Sequence, residues 1–157
     1  MIKSAITDID VTDSITLITV NDLNCDGGIL TSIFKKIADR GINVDTITLT
    51  PHNKGKMNMS FTILSEYLGR AVAAMGEMRS VIPHFLCHIS SSNAKLTLSG
   101  SALSDDAGIT AEVLGVLAQA DIMVKLISAS VNEISLLVDE SCVDTALAEL
   151  NKKYLIK

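Results

Sequence analysis

Residues 28–47 of this chain return, in pattern, at residues 108–127. Gly28, Ile29, Ile33, Ile37, Ala38, Ile42, Val44 and Ile47 stand 80 positions before Gly108, Ile109, Val113, Leu117, Ala118, Ile122, Val124 and Ile127, with no gap between the two series. Farther on the offset is 75: Met59, Phe61, Ile63, Leu68, Ala71, Val72 and Met75 return as Ile134, Leu136, Val138, Val143, Ala146, Leu147 and Leu150. A period near 80 exceeds the roughly 20–50 residues of a solenoid unit. It fits a small α+β module built twice.

The first copy reads as β-α-β-β-α-β. Ile15 to Val20 alternates as a strand does. Asn21 to Gly28 is turn-rich. Ile29, Leu30, Ile33, Phe34, Ile37 and Ala38 form one apolar helix stripe, which Gly41 closes at the C′ position. Val44 to Thr50 is a β-branched strand, Pro51 to Lys56 a hairpin turn, and Met57 to Leu64 a strand with Met57, Met59, Phe61 and Ile63 on one face. Ser65 is placed to N-cap a helix through Met78, with Leu68, Ala71, Val72 and Met75 inward. His84 to Ser90 is the last strand. This order is the ferredoxin-like plan.

The second copy repeats it: strand Lys95–Gly100, loop Ser101–Gly108, helix Ile109–Ala120 and strand Val124–Ser130, then strand Glu133–Asp139 and a helix capped by Ser141 and running to Tyr154. Val131-Asn132 replaces the longer hairpin turn, which accounts for the fall in offset. The sixth element of this copy is missing, while a spare strand, Ile2 to Ile9, precedes the first copy. An open sheet edge is a liability, so the spare strand is expected to complete the second sheet. The domains are then residues 13–92 for the first copy, and residues 1–12 with 93–157 for the second.

Composition narrows the function classes. A 157-residue chain that is 48% hydrophobic can bury a core, but each half alone is small enough to be marginal, so the halves are expected to pack together or dimerise. A net charge of −5 argues against nucleic acid, whose phosphates attract Lys and Arg. No apolar run reaches the length of about 18 residues that marks a membrane helix, and Met1-Ile2-Lys3-Ser4 lacks a signal-peptide core. Cys25, Cys87 and Cys142 are odd in number and widely spaced, which suggests a reducing, cytoplasmic setting rather than a disulfide scaffold.

Catalytic constellations are missing. There is no GxxxxGK[ST] or GxGxxG loop, no GxSxG elbow and no HExxH helix. Cys87 lies between His84 and His88, but zinc sites use three or four ligands at recognisable spacings, so no metal site is expected. Asp105-Asp106 reads as a solvated or capping pair, Asp8 and Asp10 as polar residues of an edge strand. The Met57, Met59, Phe61 stripe reads as core. Cys25, near a helix start, is a reactive thiol only if that helix end lowers its pKa.

What remains is a loop-to-helix junction found twice, Asp26-Gly27-Gly28-Ile29 and Asp106-Ala107-Gly108-Ile109. A helix N-terminus offers free N–H groups and partial positive charge, a setting that holds a carboxylate. The plainer alternative is an ordinary helix start with the aspartate as its cap.

At these residues the chain resembles the ACT domain, a small-molecule sensor of amino-acid metabolism. Gly28-Ile29, Ile33-Phe34, Ile37-Ala38 and Gly41-Ile42-Asn43-Val44-Asp45 carry that likeness. Leu96 to Gly100, Gly108 to Val113, Leu126 to Ser130 and Ile134 to Asp139, with Ile6-Thr7, resemble the regulatory ACT pair of aspartate kinase. That family phosphorylates the β-carboxylate of aspartate with ATP, and its catalytic domain lies outside a chain of this kind. The resemblance implies two ferredoxin-like ACT subdomains, a homodimer joined through them, a kinase catalytic domain as partner, no cofactor in this chain, and ATP and magnesium only in the kinase domain. It places the effector contacts on Asp22, Asp26, Gly28 and Ile29, with Asn43, Val44 and Asp45. The loop would serve the effector carboxylate, the Asn43 and Val44 backbone its α-ammonium, and Asp45 a lysine ε-ammonium by a charge-assisted hydrogen bond. Lysine is therefore favoured over threonine. Met123, Val124 and Lys125 break this pattern in the second copy, which is expected to support rather than sense. The other readings are a free-standing tandem-ACT sensor and an interaction module without a ligand.

Overall fold

Every second side chain of Met57 to Ile63 is sealed from water, and the rest of the fold is arranged around such stripes. The computed structural model describes residues 5–105 and 107–156. In chain order it contains β1 (Asp8–Asn24), α1 (Gly27–Asp39), β2 (Ile47–His52), β3 (Lys56–Leu64), α2 (Leu68–Val81), β4 (Leu86–Ser99), α3 (Ile109–Gln119), β5 (Leu126–Ala129), β6 (Glu133–Asp139) and α4 (Val143–Tyr154). These elements form two compact units. One is Ser14–Ser91; the other comprises the described residues of Met1–Asp13 and Ser92–Lys157.

In the unit Ser14–Ser91 the sheet runs β2-β3-β1, with the first part of β4 beside β1. Strand β3 pairs antiparallel with both β1 and β2, Ile18 standing opposite Phe61 and Leu49 opposite Met59. Helices α1 and α2 cover one face. Ile33 and Ile37 from α1, and Ala71, Ala74, Met75 and Met78 from α2, meet Met59, Phe61 and Ile63 in one core. With aromatics scarce, the Phe34–Phe61 edge-to-face pair at 5.8 Å is the aromatic contact of this core.

The other unit repeats the design with β4-β6-β5. Thr7 lies beside Ser99, its N–H donating to the Ser99 carbonyl at 2.8 Å. Ile6 is fully buried against Leu96, Leu98, Leu136 and Tyr154. The strand preceding the first copy therefore completes the second ferredoxin-like sheet. The expected strand Ile2–Ile9 is described only from Ala5 onward; its first residues, and Asp106 of the second junction, lie outside the described residues.

In each unit one glutamate clasps the two helices. Glu77 on α2 binds Lys36 at 2.7 Å and also Arg40, both on or at the end of α1. Glu112 on α3 binds Lys153 at 2.6 Å and accepts from the Tyr154 hydroxyl. Lys36 above all holds the Glu77 carboxyl below its ordinary value, and Lys153 does the same for Glu112.

Several local expectations are corrected. Strands expected to be separate run together: Asp8 and Ile9, the end of the expected strand 2–9, continue through 15–20 in β1, and most of 84–90 joins 95–99 in β4. Between the joined segments Ser14 (φ 55°) and Ser92 (φ 59°) take left-handed backbone. Asn21 to Asn24 belong to β1 rather than to a loop, and α1 begins at Gly27. Ser65 caps no helix: it starts a single 3-10 turn, Ser65–Tyr67, ahead of α2. Its hydroxyl instead meets that of fully buried Thr16 at 2.8 Å, a group that needs a partner once out of water. Val72 is exposed, because the buried stripe of α2 runs through Ala71, Ala74, Met75 and Met78. Ser141 is not the cap either; Asp139 accepts both its N–H and its hydroxyl.

Candidate functional site

The residues singled out from the sequence fall into two groups, at opposite ends of the first sheet. The first group stands where β1 gives way to α1. Between Val20 and Leu23 the register of β1 against β3 shifts by a bulge. Asp22 sits on this bulge with φ 57°, its N–H donating to Asn58 Oδ1 at 3.1 Å and its Oδ1 lying 3.2 Å from His52 Nε2. Asp26 is the N-cap of α1: its Oδ1 accepts from Gly28 N–H at 2.8 Å, and its carbonyl accepts from Ile29 N–H. A Cβ at Gly28 would stand 3.3 Å from that Asp26 oxygen, so the bare glycine lets the carboxylate close over the helix end. Ile29 is partly buried and packs against the first core.

The second group stands where the chain leaves α1 for β2. Gly41 turns with φ 64°, Ile42 is buried, and Asn43 and Asp45 are exposed on either side of half-buried Val44. Asp45 is anchored by its backbone, its N–H donating to the Thr62 carbonyl at 3.0 Å, while Thr62 N–H returns a bond to Thr46. The Thr62 hydroxyl, itself buried, accepts from Thr46 N–H. These bonds fix the place of the Asp45 side chain at the far end of β3.

The register measures the separation of the groups. Asn24 and His52 both pair with Lys56, whereas Asp45 meets Thr62. The six residue-to-residue steps from Lys56 to Thr62 span roughly 20 Å at the usual strand rise. Within one chain the structure thus brings Asp22, Asp26, Gly28 and Ile29 together, and separately Asn43, Val44 and Asp45. The gap is beyond the reach of one free amino acid.

The second copy preserves the frame and changes the chemistry. Lys125 N–H donates to the Leu137 carbonyl at 2.8 Å, the same bond that Asp45 makes to Thr62. Its ammonium donates to Asn93 Oδ1 at 2.5 Å and lies 3.6 Å from Asp139 Oδ2. Asn93 is fully buried. Ser141, by hydroxyl and then N–H, holds the Asp139 carboxyl below its ordinary value, with Lys125 adding to the effect. Met123 is 76% exposed.

Other candidate groups are disposed differently. Cys87 is half-buried, and burial pushes its thiol up; Cys25 is exposed. Among the described residues no three His, Cys, Asp or Glu side chains gather as metal ligands, and no helix is long and apolar enough to cross a membrane. Sequence reading passed over Asn24, His52, Lys56 and Asn58, which hold the end of β1. The one signal for them was the five extra residues in the first copy's hairpin.

Comparison with known proteins agrees with the fold. Residues 96–154 match the family model of the ACT domain. The chain is 31% identical over 142 residues to aspartokinase 2 of Bacillus subtilis, a match covering 90% of this chain and 35% of that one. It thus spans about a third of the length of that relative. The regulatory subunit of aspartate kinase from Thermus thermophilus has the same fold, with a TM-score of 0.84 at 21% identity over 94% of this chain and 97% of that one. Aspartokinase III of E. coli, in complex with lysine and aspartate, superposes with a TM-score of 0.71 at 20% identity, over 96% of this chain and 33% of that one.

Proposed function

We propose that the chain is an ACT-domain regulatory region of the aspartokinase type and that it senses a free amino acid, lysine before threonine, at a contact between the first copies of two chains. The observation that carries this reading is the separation of the two groups of site residues along β3. A single chain leaves each group half a site. Two chains related by a two-fold axis, with their β2 edges antiparallel, bring the loop end of one against the strand-start end of the other. The β2 edge suits such a contact: it is the outer strand of its sheet, and Ile47 and Leu49 are 49% and 46% exposed on it. An open edge with apolar side chains is a template for pairing.

In this arrangement Asp45 of one chain receives the ε-ammonium of lysine, and the Asn43 and Val44 backbone its α-ammonium. The effector carboxylate meets the N-terminus of α1 of the other chain, where Asp26 already holds Gly28 N–H and sets the competition for that donor. The crystal complex of E. coli aspartokinase III with lysine supports the preference, as does a carboxylate, rather than a neutral side chain, at position 45. The second copy takes no effector, because Lys125 presents a cation where Asp45 presents an anion. Regulation then acts on a catalytic domain that phosphorylates aspartate and holds its own ATP and magnesium. Lysine shifts that enzyme only by binding one of its states better, with a coupling typically of about 1–3 kcal/mol.

Calorimetric titration with lysine, threonine and methionine, paired with sedimentation of the chain with and without lysine, tests this. Lysine binding by a dimer, lost in Asp45→Ala with any threonine binding retained, is the expected result. Binding by a monomer, or equal loss of lysine and threonine, contradicts it.

A further inference from the structure

Between Ile47 and Met59 the offset of the two copies falls from 80 to 75, so the first copy spends five more residues on its β2–β3 turn than the second does at Val131-Asn132. These residues grip the chain just before α1. The Gly55 carbonyl accepts from Cys25 N–H at 2.8 Å. The Lys56 ammonium donates to Asn24 Oδ1 at 2.6 Å. His52 Nε2 stands 3.2 Å from Asp22 Oδ1, and from β3 itself Asn58 takes the Asp22 N–H. Asp22 needs this support. Its φ of 57° is unfavourable for a residue with a Cβ, and such backbone persists only where its surroundings over-determine it. The second copy's two-residue turn, Val131-Asn132, carries no charged side chain; among the described residues its Asn132 carbonyl accepts from Gly100 N–H at 3.1 Å.

We propose that the β2–β3 turn of the first copy is a clamp that sets the segment Asp22–Ile29 in its amino-acid-binding geometry, with His52 and Lys56 as positioning residues. This inference rests on the effector reading above and adds, beside the charge difference between Asp45 and Lys125, a second feature that suits the first copy to binding. Each contact is exposed and worth little alone. Together they order the segment before the ligand arrives, so that binding does not bear the cost of ordering it.

The test uses the full chain. In the double variant His52→Ala, Lys56→Met, the Kd for lysine weakens about tenfold, and amide exchange at Cys25–Ile29 quickens by a similar factor, the size expected when about 1.4 kcal/mol of ordering is lost. Exchange in α2, α3 and α4 stays as it was. His52→Gln with Lys56→Arg, which keeps a donor at both places, restores both readouts. Unchanged lysine affinity in the double variant overturns the clamp, as does a conservative pair that fares no better than the truncated one. If the unaltered chain binds neither lysine nor threonine, the effector reading falls instead. Exchange then decides the clamp: unchanged rates at Cys25–Ile29 overturn it, and quickened rates uphold it.

Discussion

The two copies share a skeleton down to single hydrogen bonds, yet they differ at both ends of their sheets. Asp45 and Lys125 make the same backbone bond to the neighbouring strand, and their side chains have opposite charge. One copy leads into its helix through a segment held by His52, Gly55 and Lys56, the other through a segment beside a two-residue turn. The cores, by contrast, match position for position: Phe61 answers to Leu136, Ile63 to Val138 and Ala71 to Ala146, all buried. After a duplication, packing constrains the buried stripe of both copies alike. The polar ends are free to part company, and there one copy can take up recognition while the other gives support.

The largest expected effects probe the shared part. Phe61→Ala should cost about 3–5 kcal/mol and Leu136→Ala about 2–5 kcal/mol in denaturant unfolding; a first-copy value far below the second would break the equivalence of the two cores. Next comes the charge difference. Asp45→Ala should weaken lysine by about 1.5–3 kcal/mol, the scale of a hydrogen bond to a charged group, while Lys125→Met leaves lysine affinity alone. Lys125→Met should instead cost about 1–2 kcal/mol of stability, because it removes a hydrogen bond to the buried Asn93 oxygen; a loss of lysine binding in that variant would reverse the assignment of roles. At the first helix, Asp26→Ala should cost about 1 kcal/mol for the lost cap. Asp26→Asn keeps an acceptor for Gly28 and removes a negative charge from the path of a carboxylate, so it should tighten effector binding. The smallest effect tests the helix clasps. The Glu77 and Glu112 carboxyls both lie below their ordinary value of 4.5 when folded. Their contribution is therefore present in full above that value and is lost as pH falls through the lowered one. Unfolding midpoints of Glu77→Gln and Glu112→Gln should each fall below the unaltered protein at neutral pH and converge with it in acid.

Much of the fold was legible because burial writes itself into spacing. The alternation at Met57–Ile63 and the helical stripe of Ile33 and Ile37 needed no tertiary knowledge, and the missing sixth element of the second copy pointed to the strand that fills it. What escaped was decided by partners distant in sequence. Ser65 looks like a cap until buried Thr16 claims its hydroxyl. Val72 fits the apolar stripe by type, but α2 is rotated so that Ala74 and Met78 face the sheet instead. The candidate site was legible residue by residue and not as an arrangement. Register alone reveals that Asp26 and Asp45 lie at opposite ends of β3, and register depends on the Val20–Leu23 bulge, which no local pattern announces. His52 and Lys56 read as ordinary turn residues, since the segment they hold is some 30 positions away.

Gly100 has no side chain because the Ala5 carbonyl occupies the space where its Cβ would be, with Thr7 bonded to Ser99 alongside. That contact joins positions 92 apart, whereas Ser14–Ser91 is a continuous stretch. During synthesis the early strand must therefore wait, unpaired, while the whole intervening unit emerges and has time to fold. The second sheet closes at the larger loop-closure cost, so a bulkier residue at position 100 should slow or block that closure while leaving the unit Ser14–Ser91 intact.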